Sequence, residues 1–324
     1  MTLEFPGFVD IQVNGFAGID FNSADVTADQ IREALAALRN TGVTRVLPTL
    51  ITGPLDRFVS CVRTILAVDD PAIAGIHQEG PYISSTDGPR GAHPRAHTIP
   101  ASLDDFKRRQ EAADGRIVLV TLAPEVEGAF ALIEYLIANG VRVAIGHSEA
   151  TPAVIRDAIR AGATMSTHLG NGCASMIPRH TNLIWEQLAS DELLASFIVD
   201  GYHLPAALVK SAVRAKSPAR TILVTDAIAA AGCPAGSYRI GEMEVEVAGD
   251  GRVSLRGTPY LAGSAVTMPE AVANTVRFTG LPIEEVLPMA TTIPAEYMGI
   301  ALVGTVSAEW DPERSILNVR RVQF

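Results

Sequence analysis

The chain has 324 residues, 48% of them hydrophobic and 19% charged, which fits one large α/β barrel or two modest domains and excludes a disordered chain. Lys plus Arg number 26 and Asp plus Glu 36, a net charge of −10, and no Lys/Arg cluster supplies the basic footprint of a nucleic-acid binder. The acid excess leaves an anionic small molecule open, since a site needs only one or two local cations.

The chain opens on Met1–Pro6, which has neither the basic start nor the apolar stretch of a signal peptide. No run of about 18 apolar residues follows, so no membrane span is expected. Short apolar, β-branched runs then recur at Phe8–Val13, Thr44–Leu50, Ala72–His77, Ile117–Leu122, Val141–His147, Ala163–His168, Ala195–Asp200 and Thr221–Asp226. Helix-length amphipathic stretches lie between most of them. Ala28–Asn40 carries Ile31, Leu35 and Leu38 and is followed by Gly42; Leu55–Val68 and Phe130–Asn139 read the same way, the second closed by Gly140. Thr151–Ala161 begins Thr-Pro, an N-cap with proline at the first helical position. Strand and helix periods in alternation predict a parallel sheet with crossover helices, and eight units match a closed (β/α)8 TIM-type barrel, whose usual size is about 250 residues. An open doubly wound sheet would want a glycine-rich phosphate loop after the first strand; Val13–Gly18 lacks the third glycine and a helix start. Tyr238–Arg256 instead alternates at period two around Asp250-Gly251, a hairpin signal. It is expected to pair with the termini in a small β element (1–5, 235–258, 314–324) beside a catalytic barrel over 6–310, with two closing helices at Pro269–Phe278 and Ile283–Met289.

In such a barrel the strand C-termini converge on the face that carries chemistry. Five of the seven histidines fall at or beside those ends. A carboxylate and two imidazoles from separate strands can hold a divalent metal and leave a position for water; Glu79, His147 and His168 are the candidates. Asp226, alone at the end of an apolar strand, is placed to take a proton and return it to a leaving group. A lone strand-end histidine is ordinarily a structural hydrogen-bonding residue, and a lone aspartate a helix cap. Four such residues on four strands of one barrel are harder to explain that way. The three cysteines, Cys61, Cys173 and Cys233, lack CxxC spacing; they exclude a disulfide scaffold and suit a reducing, cytoplasmic compartment.

The segments PGFVDIQVNG (6–15), HQEGPYIS (77–84), GHSEAT (146–151), STHLGNG (166–172), VDGYHL (199–204), LVTDAIAAAG (223–232) and LAGSAVTM (261–268) run in one order along the chain. Together they resemble the N-acetylglucosamine-6-phosphate deacetylases, members of the amidohydrolase superfamily. The resemblance implies a barrel with a composite β domain, a divalent metal, and removal of acetate from an amino-sugar phosphate. By position, Glu79, His147 and His168 match metal ligands and Asp226 the catalytic acid/base. His93 and His203 match residues that face the substrate. Asn171, Gly172 and Arg179 match the loop that contacts sugar and phosphate, and Leu261, Ala262 and Gly263 the segment that closes over the sugar. Gln12 and Asn14 stand where many amidohydrolases carry His-x-His. Neutral amides are poor ligands for a transition metal, so one metal ion per chain is expected: zinc first, with iron(II), manganese and cobalt as alternatives.

The chain departs from the family in three places. Five residues precede PGFVDIQVNG where several dozen are usual, so a reduced β element is expected. The loop after His168 reads GNGCASMIPRHTN, and Gln78 replaces a usual leucine. Arg90 and Arg95 flank His93 as solvated loop charges or phosphate contacts. His97 and His180 read as surface groups or groups behind the site, Cys173 as an inert thiol, and Trp185 as helix packing. The expected partners are a small amino-sugar substrate and a second copy in a homodimer, with neither nucleic acid nor membrane. The rival readings are an amidohydrolase for another N-acyl substrate and a catalytically silent barrel that binds sugar or metal.

Overall fold

The computed structural model describes Met1–Phe324. The chain begins with β1 (Thr2–Pro6), β2 (Phe8–Val13) and a two-residue hairpin of β3 (Gly15–Phe16) and β4 (Ile19–Asp20), then α1 (Ala28–Asn40). Strands and helices alternate from there: β5 (Val43–Ile51), α2 (Leu55–Leu66), β6 (Ile76–Glu79), α3 (Leu103–Ala112), β7 (Ile117–Leu122), α4 (Ala129–Ala138), β8 (Arg142–Ile145), α5 (Pro152–Ala161), β9 (Met165–Ser166), α6 (Leu183–Ala189), β10 (Leu194–Ile198), α7 (Ala206–Lys216) and β11 (Thr221–Val224). The last part holds β12 (Gly236–Ile240), β13 (Met243–Val247), β14 (Val253–Leu255), α8 (Met268–Thr279), α9 (Ile283–Val286), α10 (Thr292–Met298), β15 (Thr305–Asp311) and β16 (Ile316–Gln323).

Eight strands form one parallel sheet in the order β2-β5-β6-β7-β8-β9-β10-β11. The ends meet just beyond β2 and β11: the Asp226 N–H donates to the Gln12 carbonyl at 3.0 Å and the Asn14 N–H to the Ala227 carbonyl at 2.7 Å. This is the predicted barrel. The eight apolar runs all supply strands, but β9 keeps only Met165–Ser166 of its predicted six residues. α1 matches its predicted limits: Thr27 and Gln30 form a reciprocal capping box, and Ile31, Ala34, Leu35 and Leu38 face inward. Thr151 caps α5 with Pro152 at its first position. Ile283–Met289, read as one helix, is α9 followed by a 3-10 turn, Leu287–Ala290.

Inside the barrel the inward side chains change character along the axis. Val9, Ile11, Leu47, Leu119, Met165, Ile222 and Val224 fill the lower layers. Above them runs a polar layer. Thr49 Oγ1 lies 3.3 Å from His77 Nδ1, His77 Nε2 2.8 Å from Thr121 Oγ1, and Thr121 Oγ1 2.7 Å from Thr167 Oγ1. Burial pushes His77 down to about 4, so the ring is neutral and serves this ladder. The ionisable groups sit on top.

The expected pairing of 235–258 with the termini does not occur. β1, β15 and β16 form an antiparallel sheet of their own, packed on α1 and α8, with Thr305–Asp311 as its central strand rather than part of the barrel. β12, β13 and β14 form a second sheet that roofs the barrel mouth. Period two identified these strands, but partner choice follows burial: Ile240, Val245, Val247 and Val253 close on Ile51, Ile228, Ala230 and Ala262 of the barrel top.

Candidate active site

Glu79 ends β6, and His147, His168 and Asp226 each stand two residues past the ends of β8, β9 and β11. The last three have φ of 52°, 30° and 49°, a region that residues other than glycine seldom occupy. Strain of this kind gathers at functional sites, held by the surrounding structure.

The carboxylate and two imidazoles converge. His147 Nε2 and His168 Nε2 each lie 3.0 Å from Glu79 Oε1 and 3.1 Å from one another. His147 Nδ1 is 3.0 Å from the Pro89 carbonyl, which can only accept, so Nδ1 carries the proton and Nε2 presents a lone pair. Acceptors gathered this closely repel unless a proton or a cation lies among them. Two nitrogens and a carboxylate oxygen, all buried, are a donor set that suits a divalent transition metal. Burial alone would raise Glu79; when the two imidazoles are protonated, their hydrogen bonds and charge outweigh it and hold the carboxyl well below the usual range. The His147 ring fits against backbone: a Cβ on Gly172, whose φ is +56°, would stand 2.8 Å from His147 Nδ1.

Gln12 and Asn14 donate rather than ligate. Gln12 Nε2 reaches Glu79 Oε1 at 3.1 Å and Asp226 Oδ1 at 3.2 Å, and Asn14 Nδ2 reaches Asp226 Oδ1 at 2.6 Å. Burial, reinforced by the Glu79 charge, pushes Asp226 far above the usual carboxylate range. His93 lies edge-on to His147; its Nδ1 is 2.8 Å from Thr52 Oγ1 and its Nε2 4.0 Å from Glu79 Oε1. Burial drives His93 down to about 3, so it is neutral at pH 7. Asp200 Oδ2 holds His203 Nδ1 at 2.7 Å, and Asn171 Nδ2 donates to the His168 carbonyl at 3.2 Å.

These groups surround a cavity of about 360 Å3. Asn14, His93, Asn171, Gly172 and His203 line it with Glu79, His147, His168 and Asp226, and Leu261, Ala262 and Gly263 close one side. Arg179 is the exception. It is exposed and outside the lining, and its backbone carbonyl accepts the Trp185 indole N–H at 3.3 Å. Trp185 itself is 56% exposed on α6 rather than packed. Arg90 turns away to Asp87 and the His93 carbonyl, and no lysine or arginine lines the cavity. Ile51, Ile240 and Met243 line it but carried no chemical signal in the sequence; Ile240 and Met243 belong to the period-two run whose seat depends on the fold. A larger cavity, about 660 Å3 between α8, β16 and Asp250, holds no converging metal donors, so the chemistry belongs to the smaller one.

Residues 4–317 match the Amidohydrolase family. The N-acetylglucosamine-6-phosphate deacetylases of Bos taurus and Homo sapiens are each 36% identical to the chain over 310 residues, 91% of this chain and 74% of theirs. The chain belongs to this branch of the amidohydrolase family. Among solved structures, the N-acetyl-D-glucosamine-6-phosphate deacetylase of Mycobacterium smegmatis, a mutant in complex with N-acetyl-D-glucosamine-6-phosphate, superposes with a TM-score of 0.90 at 31% identity. The match covers 99% of this chain and 86% of that one. The Pasteurella multocida enzyme gives 0.88 at 28% identity, covering 98% and 84%. Amidohydrolases of this family are metal-dependent, and in this amidohydrolase Glu79, His147 and His168 are the group whose donor atoms lie within 4.8 Å of one another.

Proposed function

We propose that the chain hydrolyses the acetamide of N-acetylglucosamine 6-phosphate to glucosamine 6-phosphate and acetate. The observation that carries this is the convergence of two imidazoles, a carboxylate and an elevated Asp226 in one cavity of a chain whose relatives bear that activity in their names. Glu79, His147 and His168 would hold one divalent cation, zinc first. A cation there supplies a Lewis acid for the acetamide carbonyl and lowers the pKa of water.

The chain's own groups do the rest. Asn14 and Gln12 both bind Asp226 Oδ1, which leaves Oδ2 as the oxygen available to the reacting proton. Asp226 accepts a proton as water adds to the carbonyl carbon. It then delivers that proton to the sugar nitrogen as the C–N bond breaks, and its raised pKa suits both steps. His203, fixed by Asp200, offers Nε2 to the substrate, and neutral His93 is held by Thr52 beside Glu79. Leu261–Gly263 covers the sugar. The three free cysteines favour a cytoplasmic setting, the family resemblance favours a homodimer, and no helix is long and apolar enough to cross a membrane.

A second reading is favoured by the cavity lining, which contains no cation: the same hydrolysis on an N-acyl amino sugar without phosphate. An acetate-release screen over N-acetylhexosamines with and without 6-phosphate separates the two. The first reading expects the highest kcat/KM on N-acetylglucosamine 6-phosphate. Preference for the unphosphorylated sugar selects the second, and no acetate from any of them rejects both.

A further inference from the structure

The roof sheet enters the cavity through Ile240 and Met243, the two residues that flank its first turn, Gly241-Glu242. Groups on the barrel side that take no part in the proposed chemistry hold that turn. Asp20 Oδ2 accepts the Gly241 N–H at 2.6 Å. Arg57 Nη1 donates to Glu242 Oε1 at 2.7 Å, and His97 Nε2 stands 3.5 Å from Glu242 Oε2. Through Nη2 the same guanidinium donates to the Thr52 carbonyl at 3.3 Å. Thr52 in turn holds His93 by its hydroxyl, and His93 lies beside Glu79. One arginine and one threonine therefore connect the roof turn to the metal-ligand cluster.

The arrangement is built into the chain rather than draped over it. The Arg57 side chain is 12% exposed although its partner Glu242 is 57% exposed. Gly53 makes room for it: a Cβ there would stand 2.2 Å from Arg57 Nη2. An exposed ion pair alone holds little. A planar fork that serves a carboxylate and a backbone carbonyl at once has a fixed geometry that a lysine, a single point charge, does not reproduce.

We infer that Arg57, with Asp20 and Glu242, is a positioning residue: it clamps the roof turn to the barrel and so sets both where Ile240 and Met243 stand over the substrate and where Thr52 holds His93. The kinetic consequence rests on the deacetylase reading; the clamp itself does not. Arg57→Met should raise KM about tenfold while kcat stays within about threefold, and Arg57→Lys should restore little of it. Glu242→Ala, at an exposed side chain that leaves folding intact, should raise KM in the same direction. Amide hydrogen exchange over Tyr238–Val247 should quicken at least tenfold in both Arg57→Met and Glu242→Ala, with the barrel strands unchanged. Unchanged exchange in that segment overturns the clamp. An unchanged KM in a folded variant, or full rescue by lysine, overturns its positioning role. If the wild-type chain releases no acetate from any sugar, the deacetylase reading falls, and the exchange measurement still decides the clamp.

Discussion

Asp226 owes its chemistry to three neighbours rather than to its own residue type. Burial and the Glu79 charge raise it, while the Asn14 and Gln12 amides, at 2.6 and 3.2 Å, fix which oxygen is engaged. Asp226→Asn keeps the shape and would remove the proposed proton carrier. It should leave metal content unchanged by elemental analysis and lower kcat by about 10²–10⁴ in steady-state assays. Near-normal turnover would take Asp226 out of the mechanism. The two amides are the residue-scale reason to expect a single metal: both are engaged with carboxylates through their nitrogens, and a neutral amide oxygen is a poor ligand for a transition metal.

At the scale of elements, the seam between β2 and β11 is held by a buried carboxylate. Asp10 Oδ2 accepts the Thr225 hydroxyl at 2.6 Å, one residue before Asp226. Burial pushes Asp10 up from 3.8 to about 7. The native state therefore keeps this proton in a pH range where the unfolded chain has lost it. Its contribution is fully present below the unfolded value and is lost as pH rises to about 7, so stability falls across that window. Asp10→Asn cannot titrate. The wild-type-minus-variant difference in urea midpoint should slope downward from pH 4.5 to about 7 and flatten above it. A flat difference throughout would show that Asp10 titrates alike in both states.

For the whole molecule, the three candidate metal-ligand side chains come from β6 and from the loops after β8 and β9, so a cation held by them would tie one arc of the barrel mouth together. A ligand that binds only the folded chain raises its stability by linkage. Purified protein should hold about one transition metal per chain, and chelation should abolish acetate release and lower Tm while the far-UV spectrum at 25 °C persists. Two metals per chain, with the second near Asn14, would overturn the single-metal expectation. An unchanged Tm after complete metal removal would mean that the Glu79–His147–His168 cluster is not where the metal binds.

Local pattern carried a great deal here. Ile117–Leu122 and Ala28–Asn40 matched their elements because apolar period and capping chemistry are properties of adjacent residues. The strand-end position of Glu79, His147, His168 and Asp226 was legible for the same reason, since a parallel barrel brings every strand end to one face. Only the tertiary structure decided that Tyr238–Arg256 leaves the termini and roofs the mouth, because a two-faced strand takes whichever apolar surface buries it best. Only it could show Arg179 outside the cavity, Gln12 and Asn14 donating to carboxylates, and Arg57 reaching from α2 to the roof turn, 185 residues away in sequence. Those facts depend on where a flexible side chain finds its partner across the folded chain, and spacing along the sequence does not contain that distance.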